Sequence, residues 1–143
     1  FCNATYDSEY NIATDIPSSI NFINKVPVKT TFSDFKVGYH IKTGKSLLLE
    51  NNLNNPVTRA YKIFQNRPRE SWDLLTMWYA IFNDDAFFKT SKEGKISIDK
   101  NGVTTFNENA KNNQFYIQLN NENSFIEERI DDILLNRGEF NEK

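Results

Sequence analysis

Isoleucines stand at positions 16, 20 and 23, the i, i+4, i+7 spacing of one helix face. Asp15 is placed to serve the entry and Pro17 suits the first turn, so a helix is predicted over 16–25, stopped by Pro27. Val28 to Phe32 is a short β-branched run and predicts a strand. From Ser33 to Gly44 the pattern fits two structures. Ser33 and Gly44 suit the two ends of a helix, while Lys36 to Ile41 alternates as a strand does; the caps favour the helix. Asn55-Pro56 is a strong helix start, and Val57, Ala60, Tyr61 and Phe64 then form one apolar face. A further helix is predicted from Glu70 to Phe82. Leu74, Leu75, Met77, Trp78, Ile81 and Phe82 make it apolar on nearly every side, so it should be deeply buried. Two β-prone runs, Lys95 to Asp99 and Val103 to Phe106, flank Lys100-Asn101-Gly102, the signature of a hairpin. Gln114 to Leu119 predicts another strand. Ser124 and Glu127 have capping-box spacing ahead of a stripe of Ile126, Ile130, Ile133 and Leu134, and Gly138 follows its end. Helices and strands are intermixed, so the expected class is α/β or α+β.

The 143 residues are the usual size of one domain. An aromatic fraction of 14% argues against disorder, because each buried ring removes a large apolar area from water. A net charge of -2 without clustered Lys and Arg leaves no footprint for nucleic acid. No apolar run approaches the roughly 20 residues that span a bilayer, and the sequence does not give a compartment. Cys2, the single cysteine, has no partner for a disulfide or a zinc site. Nothing around Cys2 or His40 marks an activated nucleophile. Asp99-x-Asn101-Gly102 is not a calcium loop, since Gly stands fourth instead of sixth and Ala110 occupies the twelfth position. Asn3-Ala4-Thr5 fits the three-residue glycosylation acceptor, a pattern that recurs by chance.

Two segments carry candidate chemistry. Asn3, Glu9 and Asn11 place a carboxylate and two carboxamides just before a helix. Together they donate and accept hydrogen bonds, as the hydroxyls of a sugar require; loop and capping roles would use the same residue types. Asp73 stands in the first turn of an otherwise apolar helix. The helix dipole favours an acid there, and a metal ion would be the other natural counter-charge. Asp84-Asp85 reads as a solvated turn.

Taken together, these segments resemble the inosine–uridine type nucleoside hydrolases. The pattern Asn3-x5-Glu9-x-Asn11, running on through Ile-Ala-Thr-Asp15-Ile-Pro17, is similar to that family's Glu-x-Asn segment leading into a helix. Phe32-Ser-Asp-Phe35-x-Val-Gly38 and Asn55-Pro56-Val57-x-x-Ala60-Tyr61 resemble the stretch that follows, and Ser71-Trp72-Asp73-Leu74 with Tyr79-Ala80 resembles its late active-site helix. The resemblance spans about residues 3 to 135. It implies an α/β fold in which residues 1–143 form the C-terminal portion of one domain, a mixed, mainly parallel sheet with flanking helices. It also implies hydrolysis of the N-glycosidic bond of a ribonucleoside to base and ribose. Asn3, Glu9 and Asn11 would hydrogen-bond the ribose. Asp73 would touch the ribose hydroxyls and serve as a calcium ligand.

The chain departs from the family in two ways. The Asp-rich calcium cluster and the catalytic base it carries are not found in these 143 residues, so Ca²⁺ and activity would need a missing N-terminal half. Where many members have a histidine that protonates the leaving base, this chain has Trp72, which would either stack on the base or simply pack. The expectation is therefore a hydrolase half that is inactive alone. The alternative is a non-catalytic remnant that binds a sugar, a nucleoside or another protein. Half of such a fold would leave an open sheet edge and a bare apolar face, so the isolated chain should associate, with that other half or with itself as a homo-oligomer.

Overall fold

The fold is given by a computed structural model that describes residues 8–51, 53–64, 66–83, 85–120 and 123–137. In chain order the elements begin with α1 (Tyr10–Thr14), α2 (Ile16–Lys25), β1 (Thr30–Phe32), α3 (Phe35–Tyr39), β2 (Lys42–Thr43), α4 (Lys45–Leu49) and α5 (Pro56–Ile63). They continue with β3 (Arg69–Glu70), α6 (Trp72–Phe82), β4 (Phe88–Thr90), β5 (Lys95–Ile98), β6 (Thr104–Asn107), β7 (Gln114–Leu119) and α7 (Asn123–Leu134). The chain is a mixed α/β protein with two compact units. Residues 1–37 and 88–118 form the first, and residues 38–87 and 119–143 the second.

In the first unit β7 lies between β1 and β4. β1 runs parallel to β7, with Thr30 opposite Gln114 and Phe32 opposite Tyr116. The predicted hairpin is present: β5 and β6 pair antiparallel with Ile96 opposite Phe106, and Gly102 turns the chain at φ 82°. Asp15 caps α2 by accepting from the Ser18 amide at 3.0 Å. That bond, and a second from the Ser18 hydroxyl, hold the Asp15 carboxyl below its ordinary range. The core gathers Ile23, Phe88, Ile96 and Ile117. Within it the fully buried Gln114 accepts from the Ile96 amide and donates to the Ile23 carbonyl, both at 2.8 Å, tying β7 to β5 and α2.

In the second unit β2 and β3 pair antiparallel, and Ile41, Leu47, Leu75, Trp78, Ile126 and Ile130 are buried. Asn55 caps α5 by accepting from the Val57 and Thr58 amides. Trp78 packs on Phe87 with ring centroids 4.3 Å apart, and Phe87 stacks on Phe125.

Several expectations change. The strand predicted from Val28 starts at Thr30. In the 33–44 stretch the helix reading holds only for α3, Phe35–Tyr39; the strand reading of Lys36 to Ile41 does not hold, and a two-residue strand, β2, forms beyond it at Lys42–Thr43. The cap of α3 is Asp34, not Ser33: its carboxylate accepts from the Val37 amide at 3.0 Å. Glu70 belongs to β3, so α6 begins two residues later than predicted. That helix is not buried all round, because Met77, Ile81 and Phe82 are exposed while Leu75 and Trp78 are not. α7 begins at Asn123, so Ser124 lies inside the helix, and Glu127 accepts instead from the Lys42 amide at 2.6 Å. Among the described residues no helix is long and apolar enough to cross a membrane.

Candidate functional site

Each unit contains a cavity that sequence-predicted site residues line. In the first unit the chain enters α1 through Ser8, whose hydroxyl donates to the Gly102 carbonyl at 2.9 Å, so the hairpin turn anchors the start of the segment. Glu9 then caps α1, its side chain accepting from the Asn11 amide at 2.9 Å. The Asn11 carboxamide also reaches the Glu9 carboxylate, at 3.4 Å. The two residues are thus held as a pair, with the remaining carboxylate lone pairs and the Asn11 carbonyl able to take further bonds. They line a cavity of about 280 Å³ together with Ser33 and Asp34 and the rings of Phe22 and Phe35. Ile23 and Ile96 extend the core to its wall. Ser33 and Asp34 follow the carboxyl end of β1, a strand in a parallel pair. In open α/β sheets that is where ligands bind.

In the second unit Trp72 and Asp73 open α6 and line a cavity of about 340 Å³ with Tyr61, Phe64, Arg69 and Glu70. Asp73 is exposed. The Arg69 guanidinium lies over the Phe64 ring, 4.6 Å from its centroid. Glu70 pairs with Arg67 at 3.6 Å and Lys42 at 3.9 Å. Its own backbone amide, and then those cations, hold its carboxyl below the ordinary range. Three hydroxyls form a chain beside this cavity. Ser71 Oγ is within donating reach of the Arg69 carbonyl at 3.2 Å. Thr43 Oγ1 lies 2.7 Å from Ser71 Oγ and 3.0 Å from the Tyr61 hydroxyl, and either partner can donate in each contact. Burial pushes the Tyr61 phenol up, and Asp131 acts in the same sense.

The structure therefore brings Glu9 and Asn11 together in one unit and Trp72 and Asp73 together in the other, while Asn3 lies outside the described residues. Asp73 does not fit a calcium ion by itself: it brings one carboxylate where Ca²⁺ takes six to eight oxygens. No group of three or more His, Cys, Asp or Glu among the described residues could hold a metal. Sequence reasoning did not single out as site residues Ser33, read as a helix cap, Asp34, read only within a stretch that resembles the family, or Tyr61 and Phe64, read as part of an apolar helix face. The signal for the first pair was its place directly after a strand. The chain matches no protein-family model, no curated protein and no solved structure.

Proposed function

We propose that this chain carries sugar- and base-recognising groups of a nucleoside N-glycosyl hydrolase whose calcium-binding carboxylates are supplied from outside these 143 residues. One observation carries the proposal: Glu9 and Asn11 line one cavity with aromatic walls together with Ser33 and Asp34, which follow the carboxyl end of a parallel strand. Its volume of about 280 Å³ lies just below the roughly 300–1,000 Å³ usual for ligand clefts, which suits a sugar ring better than a large ligand. Each ribose hydroxyl both donates and accepts. The Glu9 carboxylate accepts, and the Asn11 carboxamide does both. The carboxylates also favour positive charge on the ring as the base departs. In the other unit, taken by itself, Trp72 and Asp73 line a separate cavity, where an aromatic face suits a base and a carboxylate suits a hydroxyl.

Ribose and inosine titrated into the protein, followed by amide chemical shifts, test this proposal. Saturable shifts at Glu9, Asn11 and Phe35 are expected, and shifts that never saturate would refute it. Glu9→Ala is expected to weaken ribose binding roughly ten- to a hundred-fold, because hydrogen bonds to charged groups are worth about 1.5–3 kcal/mol. Trp72→Ala is expected to weaken inosine roughly five-fold or more while sparing ribose, since stacking on an aromatic side chain is worth about 1–3 kcal/mol per base. Equal inosine affinity in both proteins would make Trp72 a packing residue. A second reading, a binding protein without catalysis, is favoured by Trp72 in place of a histidine. Saturable inosine binding without release of hypoxanthine, in a protein that also carries the Asp-rich cluster and is loaded with Ca²⁺, would establish it.

A further inference from the structure

We infer that Ser33 is a further sugar-contacting residue of the first unit's cavity, its hydroxyl reserved for a ligand hydroxyl; this rests on the proposed sugar-binding role of that cavity. Two buried side-chain oxygens have no hydrogen-bond partner among the described residues, Ser33 Oγ and Thr58 Oγ1. A buried hydroxyl left unbonded destabilises the fold, so each such group calls for an explanation. Their surroundings differ. Thr58 sits in α5 and lines neither cavity. Ser33 lines the cavity that Glu9, Asn11 and Asp34 also line.

The neighbouring polar groups are already engaged in ways that leave Ser33 a distinct task. Asp34 turns one carboxylate oxygen to the Val37 amide, and Glu9 takes the Asn11 amide. Carboxylates only accept. A ligand hydroxyl that has given its proton to Glu9 or Asp34 still has lone pairs to satisfy, and a serine can donate to them. Ser33 Oγ is shielded in the present rotamer, and among the described residues it has no hydrogen-bond partner. Turning about χ1 from one staggered well to another therefore breaks no hydrogen bond to the described residues. The hydroxyl is poised to exchange an unbonded position for a bonded one when a polyol enters.

The test is Ser33→Ala beside Thr58→Val, with ribose as the probe and two readouts, thermal midpoint and ribose affinity. Removing an unbonded buried hydroxyl should leave the midpoint of Ser33→Ala unchanged or raised, while ribose affinity falls roughly three- to ten-fold, the range for one neutral hydrogen bond. Thr58→Val should share the effect on the midpoint and leave affinity unchanged. Wild-type affinity in Ser33→Ala, with ribose still bound by the parent protein, overturns the role of Ser33 alone. A lowered midpoint in Ser33→Ala also overturns it, because the hydroxyl would then be bonded within the fold. Failure of the parent protein itself to bind ribose would overturn the sugar-binding function and this inference together.

Discussion

Asp131→Ala is expected to destabilise the second unit by about 2–5 kcal/mol. Asp131 lies on α7 and is 3% exposed. Its two carboxylate oxygens accept from the Gly44 amide at 2.5 Å and the Ser46 amide at 2.7 Å. These amides belong to the entry of α4, whose N-cap is Gly44, a residue with no side chain to cap with. One turn earlier on α7, Glu127 takes the Lys42 amide. A single helix face therefore holds the donors of residues 42–46 from 85 or more positions away. Burying a carboxylate is costly unless it is fully bonded, and here two amides and the positive end of a helix offset that cost. Alanine leaves both amides unsatisfied and a cavity between α7 and α4. Asparagine can accept from one amide and must turn its NH₂ toward the other, so it should fall between alanine and wild type. Urea denaturation of the three proteins tests the ordering. An alanine variant within about 0.5 kcal/mol of wild type, the usual range for a surface change, would mean that water replaces the carboxylate.

The same contacts explain what the sequence could and could not tell. Caps made within a few residues were legible. Asp15 and Asn55 bind the amides two or three positions on, and Asn101-Gly102 closes its own hairpin. Helix α7 has the spacing of a capping box, yet Glu127 serves Lys42, because a carboxylate is taken by whichever amide tertiary folding brings to it. Helix α6 looked apolar on every side. Of its apolar residues Leu75 and Trp78 are buried while Met77, Ile81 and Phe82 are exposed, and hydrophobicity cannot say which faces the rest of the chain will cover. The site shows the same division. Glu9 and Asn11 are two positions apart and meet whenever that turn forms. Their meeting with Ser33 and Asp34 depends on β1 pairing with β7, more than eighty positions along, and no local pattern encodes that register. The resemblance to nucleoside hydrolases singled out Asn3, Glu9, Asn11, Trp72 and Asp73; Asn3 lies outside the described residues, Glu9 and Asn11 line one cavity, and Trp72 and Asp73 line another.

Gly38→Ala is expected to cost about 1–3 kcal/mol or more as overpacking and to displace the head of α6. A Cβ at residue 38 would stand 2.5 Å from Trp72 Cα, 2.5 Å from its Cδ1 and 2.6 Å from its backbone nitrogen. Two of these three atoms are main chain, so a change of rotamer at Trp72 cannot relieve the clash. The Ser71 amide donates to the Gly38 carbonyl at 3.1 Å across the same approach. The missing side chain at residue 38 thus lets α3 come close enough to fix where α6 begins, and with it where Trp72 and Asp73 stand on their cavity. The variant should unfold at lower urea and show altered tryptophan emission in its folded state. Under the proposed function it should also lose inosine affinity. A double variant with Trp72→Ala separates backbone from side chain. If the main chain is the obstacle, removing the indole recovers little of the lost stability. Near-complete recovery would show that only the ring was in the way, and that Gly38 accommodates a side chain without fixing the helix.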